Sequence, residues 1–279
     1  SGDYNTGVGA EVNISTLTGD SNTSVGAQAG RGITSGNNLV LIGRKAGMTI
    51  STMSDTVAIG YQAGDALTTG VDNVAVGYLS ASALTDADYN VAVGKGALSD
   101  DTKGSKSTGV GYQALSTQNF TTATDSNNTA VGYNAGSLIT TGVNNTLMGT
   151  ASGDAITTGH SNTVVGSAAG TAVTTGINNV AIGYVALASA TTASDNVIVG
   201  KQAGFNITDS QYNVGIGNNA IQSLTTGDRN VAVGHSTMYG LTTASDNTAI
   251  GYNAGVAMTT GVNNTLMGSF AGDALIASA

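Results

Sequence analysis

Two short stretches of the chain have the spacing of a nucleotide-binding loop. "GVGYQA" at 109–114 and "GIGNNA" at 215–220 match G-x-G-x-x-A, where glycines let the backbone approach a pyrophosphate. That chemistry also needs a following helix and an acidic residue about 20 residues further on. Both stretches are ordinary copies of a sequence repeat, with Gly where most copies have Ala. We therefore interpret them as structural.

Catalytic and metal-binding combinations are hard to assemble from this sequence. His160 and His235 occupy different repeat positions several copies apart, so they cannot pair as ligands or share a serine triad. Glu11 is the only glutamate, and there is no cysteine. We predict no catalytic residue, no cofactor, no metal site and no enzyme activity.

Aspartates recur just before the asparagine position of the repeat, and aligned carboxylates are ligands that calcium accepts. They are Asp55, Asp72, Asp195 and Asp246. Other copies have a neutral Asn at the same position, which favours turn capping. Calcium binding is left open.

A tyrosine follows the repeat glycine in six copies. These residues are Tyr61, Tyr78, Tyr112, Tyr133, Tyr184 and Tyr252. Stacked on a rod, they would form a surface column that holds sugar rings or a partner, or they would simply cover the backbone at a glycine turn. Both interpretations stay open. If the column binds a ligand, we expect that ligand to be a cell-surface glycan.

Adjacent threonines form a second column and raise the alternative of ice binding. Ice-binding faces usually present Thr-x-Thr, whereas neighbouring residues of a strand point to opposite faces. The column is also interrupted at Asp86, Lys103 and Phe120. Threonine is in any case a common strand residue.

These candidates all belong to one repeat, which begins again every 17 residues. Its glycine falls at Gly9, Gly26, Gly43, Gly60, Gly77, Gly94, Gly111, Gly132, Gly149, Gly166, Gly183, Gly200, Gly217, Gly234, Gly251 and Gly268. One step, from Gly111 to Gly132, is 21 residues instead of 17. A repeat that fills the chain predicts one stacked architecture rather than separate domains.

Composition excludes several classes of protein. The chain has 41 glycines in 279 residues and no proline, which does not fit collagen. Abundant Val, Ile and Thr argue against disorder. The net charge is −9 and the eight bases are scattered, so we expect no nucleic-acid partner. No apolar run reaches 18 residues, so we expect no membrane insertion.

Before each glycine the residues alternate in the manner of a short strand. Three residues before it stands Thr or Val, and directly before it stands Val, Ile or Met. We expect the latter to be a buried core column, comprising Val131, Met148, Val165, Ile182, Val199 and Ile216. Four residues before the glycine stands Asn in thirteen copies, predicting a turn-capping column that includes Asn128, Asn145, Asn162, Asn179, Asn196 and Asn213.

One copy is too small to enclose a core, but stacked copies can share one. We predict an all-β fold, a parallel β-solenoid of sixteen 17-residue coils that forms a single domain over residues 1–279. Each coil should contain the strand, a glycine turn and a second short strand. Strands should include 129–131 and 146–148, and the extra four residues should bulge within 116–125 while the flanking strands stay in register.

The lines "NTAVGYNAG", "NVAIGYVAL" and "NVAVGYLSA" resemble the head repeats of trimeric autotransporter adhesins, the YadA-like family, and the shaft repeats of phage tail fibres. The resemblance covers essentially the whole chain. It implies a left-handed parallel β-roll, three of which pack side by side as a homotrimer.

The first and last copies have no polar capping sequence, so we expect both ends to be uncapped and the chain to occur within a longer fibre. The expected function is a structural extracellular fibre or filament subunit, on a cell surface or as a virion tail fibre, with adhesion as an added role. The expected partner is the chain itself, end to end or as a homotrimer. The alternatives are an ice-binding or a carbohydrate-binding β-solenoid adhesin.

Overall fold

A computed structural model describes residues 2–12 and 17–275. The first residue, residues 13–16 and residues 276–279 lie outside it, and with them the end of the last repeat copy. The chain divides into two compact units, Ser1–Val143 and Asn144–Ala279. A single domain over residues 1–279 stays a prediction. The described residues contain strands and turns but no helix.

The first unit contains one three-residue strand for each repeat copy. These strands are β1 (Thr6–Val8), β2 (Thr23–Val25), β3 (Val40–Ile42), β4 (Val57–Ile59), β5 (Val74–Val76), β6 (Val91–Val93), β8 (Thr108–Val110) and β10 (Thr129–Val131). Successive strands pair in parallel, with equivalent residues of the repeat opposite one another.

The second unit repeats this arrangement. Its strands are β11 (Thr146–Met148), β12 (Thr163–Val165), β13 (Val180–Ile182), β14 (Val197–Val199), β15 (Val214–Ile216), β16 (Val231–Val233), β17 (Thr248–Ile250) and β18 (Thr265–Met267). Successive strands from β11 to β18 pair in parallel and in register. The predicted parallel β-solenoid with 17-residue coils is therefore confirmed. The second strand of each coil is not: turns and bends occupy the rest of an ordinary described coil.

The four-residue insertion is absorbed locally, as predicted. Thr108 lies opposite Thr129, so the flanking strands stay in register across the 21-residue step. Two extra two-residue strands, β7 (Gly104–Ser105) and β9 (Thr124–Asp125), pair beside the bulge. The buried carboxylate of Asp101 accepts hydrogen bonds from the backbone N–H groups of Gly104 and Phe120, at 3.0 and 3.1 Å.

The repeat glycine permits the coils to stack closely. At Gly200 the backbone has φ +137°, and an added Cβ would lie 2.3 Å from the carbonyl oxygen of Gly217 in the next coil. A side chain there would collide with backbone that cannot move aside, and L-residues rarely adopt this conformation. Where another described coil stacks on the repeat glycine, as at Gly200, glycine is thus required for both reasons.

The core of most coils is narrow and centres on three positions: the middle residue of the strand, the small residue three after the repeat glycine, and the aliphatic residue seven after it. In the coil around Gly200 these are Ile198, Ala203 and Ile207, all of which are fully buried. The residue four after the glycine is also buried where it is large, as at Ile221.

The prediction that the residue before the glycine forms a buried core column is wrong, because this residue faces outward. Met148, Ile182 and Ile216 are 48%, 37% and 38% exposed. The other three members, Val131, Val165 and Val199, are only partly buried. Successive side chains of a strand point to opposite faces. The middle residue of the strand, often alanine but Leu147 and Ile198 in two coils, faces the narrow interior, so the residues on either side of it face outward.

Candidate functional site

The candidate functional features of this chain lie on its surface. Neither unit shows a pocket lined by described residues. Within residues 2–12 and 17–275, no three His, Cys, Asp or Glu side chains are grouped to hold a metal ion. The same residues include no helix with the length and apolar character needed to cross a membrane.

The asparagine column is buried and connects each coil to its neighbours. The Asn196 Nδ2 group donates to Oδ1 of Asn179 at 3.1 Å and to backbone oxygens of Ser194 and Ser210, both at 2.9 Å. Its Oδ1 accepts from the backbone N–H of Asn213 at 3.0 Å. Each amide thus satisfies backbone groups of its own turn and of the adjacent coils, which a buried turn would otherwise leave unpaired. Asn128, Asn145, Asn162, Asn179 and Asn213 are buried at equivalent positions.

Threonine hydroxyls connect the coils on another side. Thr174 Oγ1 donates to the backbone oxygen of Thr191 at 3.0 Å, and Thr225 Oγ1 donates to that of Thr242 at 3.0 Å. The threonine that follows, such as Thr175, is exposed. The first hydroxyl of each pair is therefore committed to the fold rather than to an external ligand.

The outer face of the sheet is apolar. We call its two lines of side chains the outer columns: the residues three before and one before each repeat glycine. In the second unit the residues three before it are Thr146, Thr163, Val180, Val197, Val214, Val231, Thr248 and Thr265. Those directly before it are Met148, Val165, Ile182, Val199, Ile216, Val233, Ile250 and Met267. All sixteen are partly or largely exposed.

The residue after the repeat glycine forms a continuous line of rings and cations in the first unit. We call this line the aromatic column, and its members are Arg44, Tyr61, Tyr78, Lys95, Tyr112 and Tyr133. Two pairs of rings are stacked in parallel: Tyr61 on Tyr78, with centroids 5.2 Å apart and planes 12° apart, and Tyr112 on Tyr133, at 5.1 Å and 9°.

The two cations of the aromatic column cover ring faces that the tyrosines leave free. The guanidinium carbon of Arg44 lies 5.6 Å from the ring centroid of Tyr61. The ammonium of Lys95 lies 5.6 Å from both the Tyr78 and the Tyr112 rings. This is the geometry of a cation–π contact. Six consecutive coils are thereby connected side chain to side chain.

The structure does not bring all six predicted tyrosines together. Tyr252 stacks on His235 with centroids 5.4 Å apart and meets the edge of Phe270 at 5.3 Å. Tyr184 stacks on no described ring. Sequence reasoning missed Arg44 and Lys95 as members of the column, although they occupy the same repeat position as the tyrosines. That shared position was the available signal.

Three of the four aspartates considered for calcium, all except Asp72, hydrogen-bond to side chains of neighbouring coils. Asp55 accepts from Asn38 at 2.9 Å, and Asp195 accepts from Asn178 at 3.0 Å. Asp246 accepts two hydrogen bonds from the Arg229 guanidinium, at 2.7 and 2.9 Å. These bonds lower the pKa of Asp246 and raise that of Arg229.

The remaining polar candidates lie apart from one another. His160 contacts the hydroxyl of its neighbour Ser161 at 3.2 Å through Nδ1, while His235 belongs to the separate ring stack with Tyr252. The two glycine-rich stretches begin inside strands β8 and β15 and continue as turns rather than as a helix. They therefore lack the helix N-terminus that binds a pyrophosphate. The sequence matches no protein-family model and no curated protein at a significant level.

Proposed function

We propose that this chain is a structural subunit of an extracellular fibre, in which copies pack side by side through the outer columns as a homotrimer. One observation carries the proposal: the apolar outer columns run along every described coil without a covering element. Soluble monomers rarely expose apolar patches of more than a few hundred Å², and larger ones mark interaction sites.

The geometry of the outer columns suits a long interface. Strands β11 to β18 are seven inter-strand spacings apart, which makes this face of the second unit roughly 34 Å long. The in-register pairing keeps equivalent side chains in straight lines. A second copy with the same period can therefore meet the face with repeated contacts, and resemblance to trimeric adhesin repeats supports three copies rather than two.

A structural role also agrees with how the interior is used. The buried asparagine amides and the inner threonine hydroxyls are committed to bonds between coils, and rigid repetition is what a fibre requires. Resemblance to adhesin heads and tail-fibre shafts supports an extracellular site, either on a cell surface or on a virion. End-to-end stacking into a longer filament is the second mode of self-association that we propose.

Sedimentation measurements on paired variants test the interface. Sedimentation of the parent chain should give a mass about three times that of one chain, which is 27.3 kDa. Ile182→Lys with Ile216→Lys places two charges on the outer columns, where the side chains are already partly exposed, and should give folded monomers. Thr175→Lys with Thr192→Lys adds the same charge at exposed positions elsewhere and should leave the mass of the parent unchanged. A parent that is monomeric at every concentration would contradict the proposal.

Ice binding is the alternative with less support. The Thr174 and Thr225 hydroxyl protons are donated to backbone carbonyls of adjacent coils. The remaining exposed threonines do not form the paired Thr-x-Thr lines of an ice-binding face. Thermal hysteresis above that of an equal concentration of an unrelated protein would favour ice binding over the fibre.

A further inference from the structure

We infer that the aromatic column of the first unit binds a linear acidic polysaccharide laid along the stacking direction of the coils. This role is additional to self-association through the outer columns and does not depend on it.

The cations of the aromatic column have no anionic partner among the described residues. Arg44 and Lys95 are both exposed, and neither forms a salt bridge with a described residue. Four of the other bases do form one: Arg31 with Glu11, Lys103 with Asp86, Lys106 with Asp125, and Arg229 with Asp246. Both cations of the column are thus available to an external anion.

Carboxylates are also missing from this repeat position. The chain contains 17 acidic residues, yet none of the sixteen residues that follow a repeat glycine is Asp or Glu. In a chain of net charge −9, this position carries only neutral and basic side chains. An anionic ligand is therefore not repelled along the column itself.

The stacking of the rings decides against two other ligand classes. Tyr61 is covered by Arg44 and Tyr78, Tyr78 by Tyr61 and Lys95, and Tyr112 by Lys95 and Tyr133. A neutral sugar that stacks on an open ring face finds none at these three tyrosines. Single-stranded nucleic acid relies on bases stacking on aromatic faces, so it is disfavoured for the same reason.

The phenol hydroxyls at the outward edge of the column can form hydrogen bonds with a ligand. The side chains of Tyr78, Tyr112 and Tyr133 are exposed. Their hydroxyls donate to no described group and can therefore bond to sugar hydroxyls or carboxylates. Arg44 and Lys95 are three coils apart, roughly 14 Å along the stacking direction. A linear polymer with repeated carboxylates can meet both cations while contacting the Tyr78 hydroxyl between them and the Tyr112 and Tyr133 hydroxyls beyond Lys95.

Calorimetric titration of the full chain with polygalacturonate at low salt tests the inference. Binding should be measurable, should weaken as salt is added, and should be absent with dextran as a neutral polymer. Arg44→Gln with Lys95→Gln should weaken binding about tenfold, since two charge-assisted contacts are lost. Lys103→Gln with Arg229→Gln changes the net charge equally at sites outside the column and should leave the affinity unchanged.

A second pair of variants separates the hydroxyls from the rings. Tyr78→Phe with Tyr112→Phe preserves the ring stack and removes two hydroxyls, and it should weaken binding severalfold. Sedimentation of each variant should match that of the parent, so failure of this site is distinguishable from failure of the fibre interface. No binding at low salt, equal loss in both charge-matched variants, or equal affinity for dextran or single-stranded DNA would overturn the inference.

Discussion

Ile221 fills the space that a side chain at Gly215 would need: an added Cβ at Gly215 would lie 2.8 Å from Ile221 Cδ1. Gly215 is the middle residue of strand β15, and Ile221 stands four residues after the repeat glycine. In the preceding coil the sizes are reversed, since Ile198 is in the strand and Gly204 is at the later position. The coils therefore keep a similar core volume by exchanging large and small residues between two positions.

A double-mutant cycle tests this exchange. Gly215→Val alone should overpack the coil and cost about 1–3 kcal/mol. Ile221→Gly alone should leave a cavity and cost about 2–5 kcal/mol. Together they reproduce the combination of Val164 with Gly170, and the double variant should be at least about 2 kcal/mol more stable than the sum of the single effects predicts.

Unfolding followed by circular dichroism gives the three free-energy changes of this cycle. The backbone favours the double variant further, because Ile221 has φ +43°, a conformation that glycine adopts without strain. Additive effects of the two substitutions would show that the two positions do not share one space.

Substitution of the repeat glycine should be severe inside the stack. Gly200→Ala combines an unfavourable φ of +137° with a Cβ 2.3 Å from the Gly217 oxygen. We expect a loss of roughly 3–5 kcal/mol. Gly268 is a matched control, since its φ is +122° but no described atom lies within 4 Å of its added Cβ. Gly268→Ala should cost about 1–3 kcal/mol, from conformation alone. Equal thermal midpoints for the two variants would contradict a steric role for the stacked glycines.

The sequence predicted the elements of the fold better than their orientation. The 17-residue spacing of the glycines was enough to place strands such as Thr129–Val131 and Thr146–Met148 and to locate the insertion. Alternation with a period of two residues cannot say which face is inside. The residue before the glycine, such as Met148, was assigned to the core, but the buried side chain of that strand is the middle one, Leu147. Which of the two faces is inside depends on the direction of the turn after Gly149, which spacing alone does not reveal.

The candidate site was only half visible in the sequence. The six tyrosines were found because one residue type recurs at one position. Arg44 and Lys95 were not, because their contribution depends on lying next to a ring in three dimensions. A column made of different residue types can be recognised only when the register of the sheet is known.

The asparagine column should tolerate a smaller neutral side chain better than an acidic one. In Asn196→Asp, an oxygen replaces Nδ2 and faces the oxygens of Asn179, Ser194 and Ser210. A buried, unpaired charge of this kind should cost about 3 kcal/mol or more at neutral pH. Asn196→Thr is the control, since the chain itself has Thr56 and Ser107 at this repeat position, and it should cost less. Chemical unfolding of both variants measures the difference, and equal stability would show that a buried carboxylate at this position carries no extra cost.

Asp154 should make stability depend on pH in the direction opposite to most carboxylates. Burial raises the pKa of its carboxyl above the ordinary value of 3.8, and hydrogen bonds from the backbone of Asp154 and Ala155 oppose this only in part. Its Oδ1 is buried without a described hydrogen-bond partner.

The raised pKa means that the folded state binds this proton more tightly than the unfolded state does. The contribution of Asp154 to stability is therefore fully present below pH 3.8 and is lost as the pH rises through its folded pKa. Asp154→Asn cannot ionise, so the variant should melt at a higher temperature than the parent at pH 7. The advantage should shrink as the pH falls and disappear below the ordinary carboxyl range. Thermal unfolding of both chains between pH 3 and pH 7 measures this, and an advantage that is constant across the range would show that desolvation of the charge is not its cause.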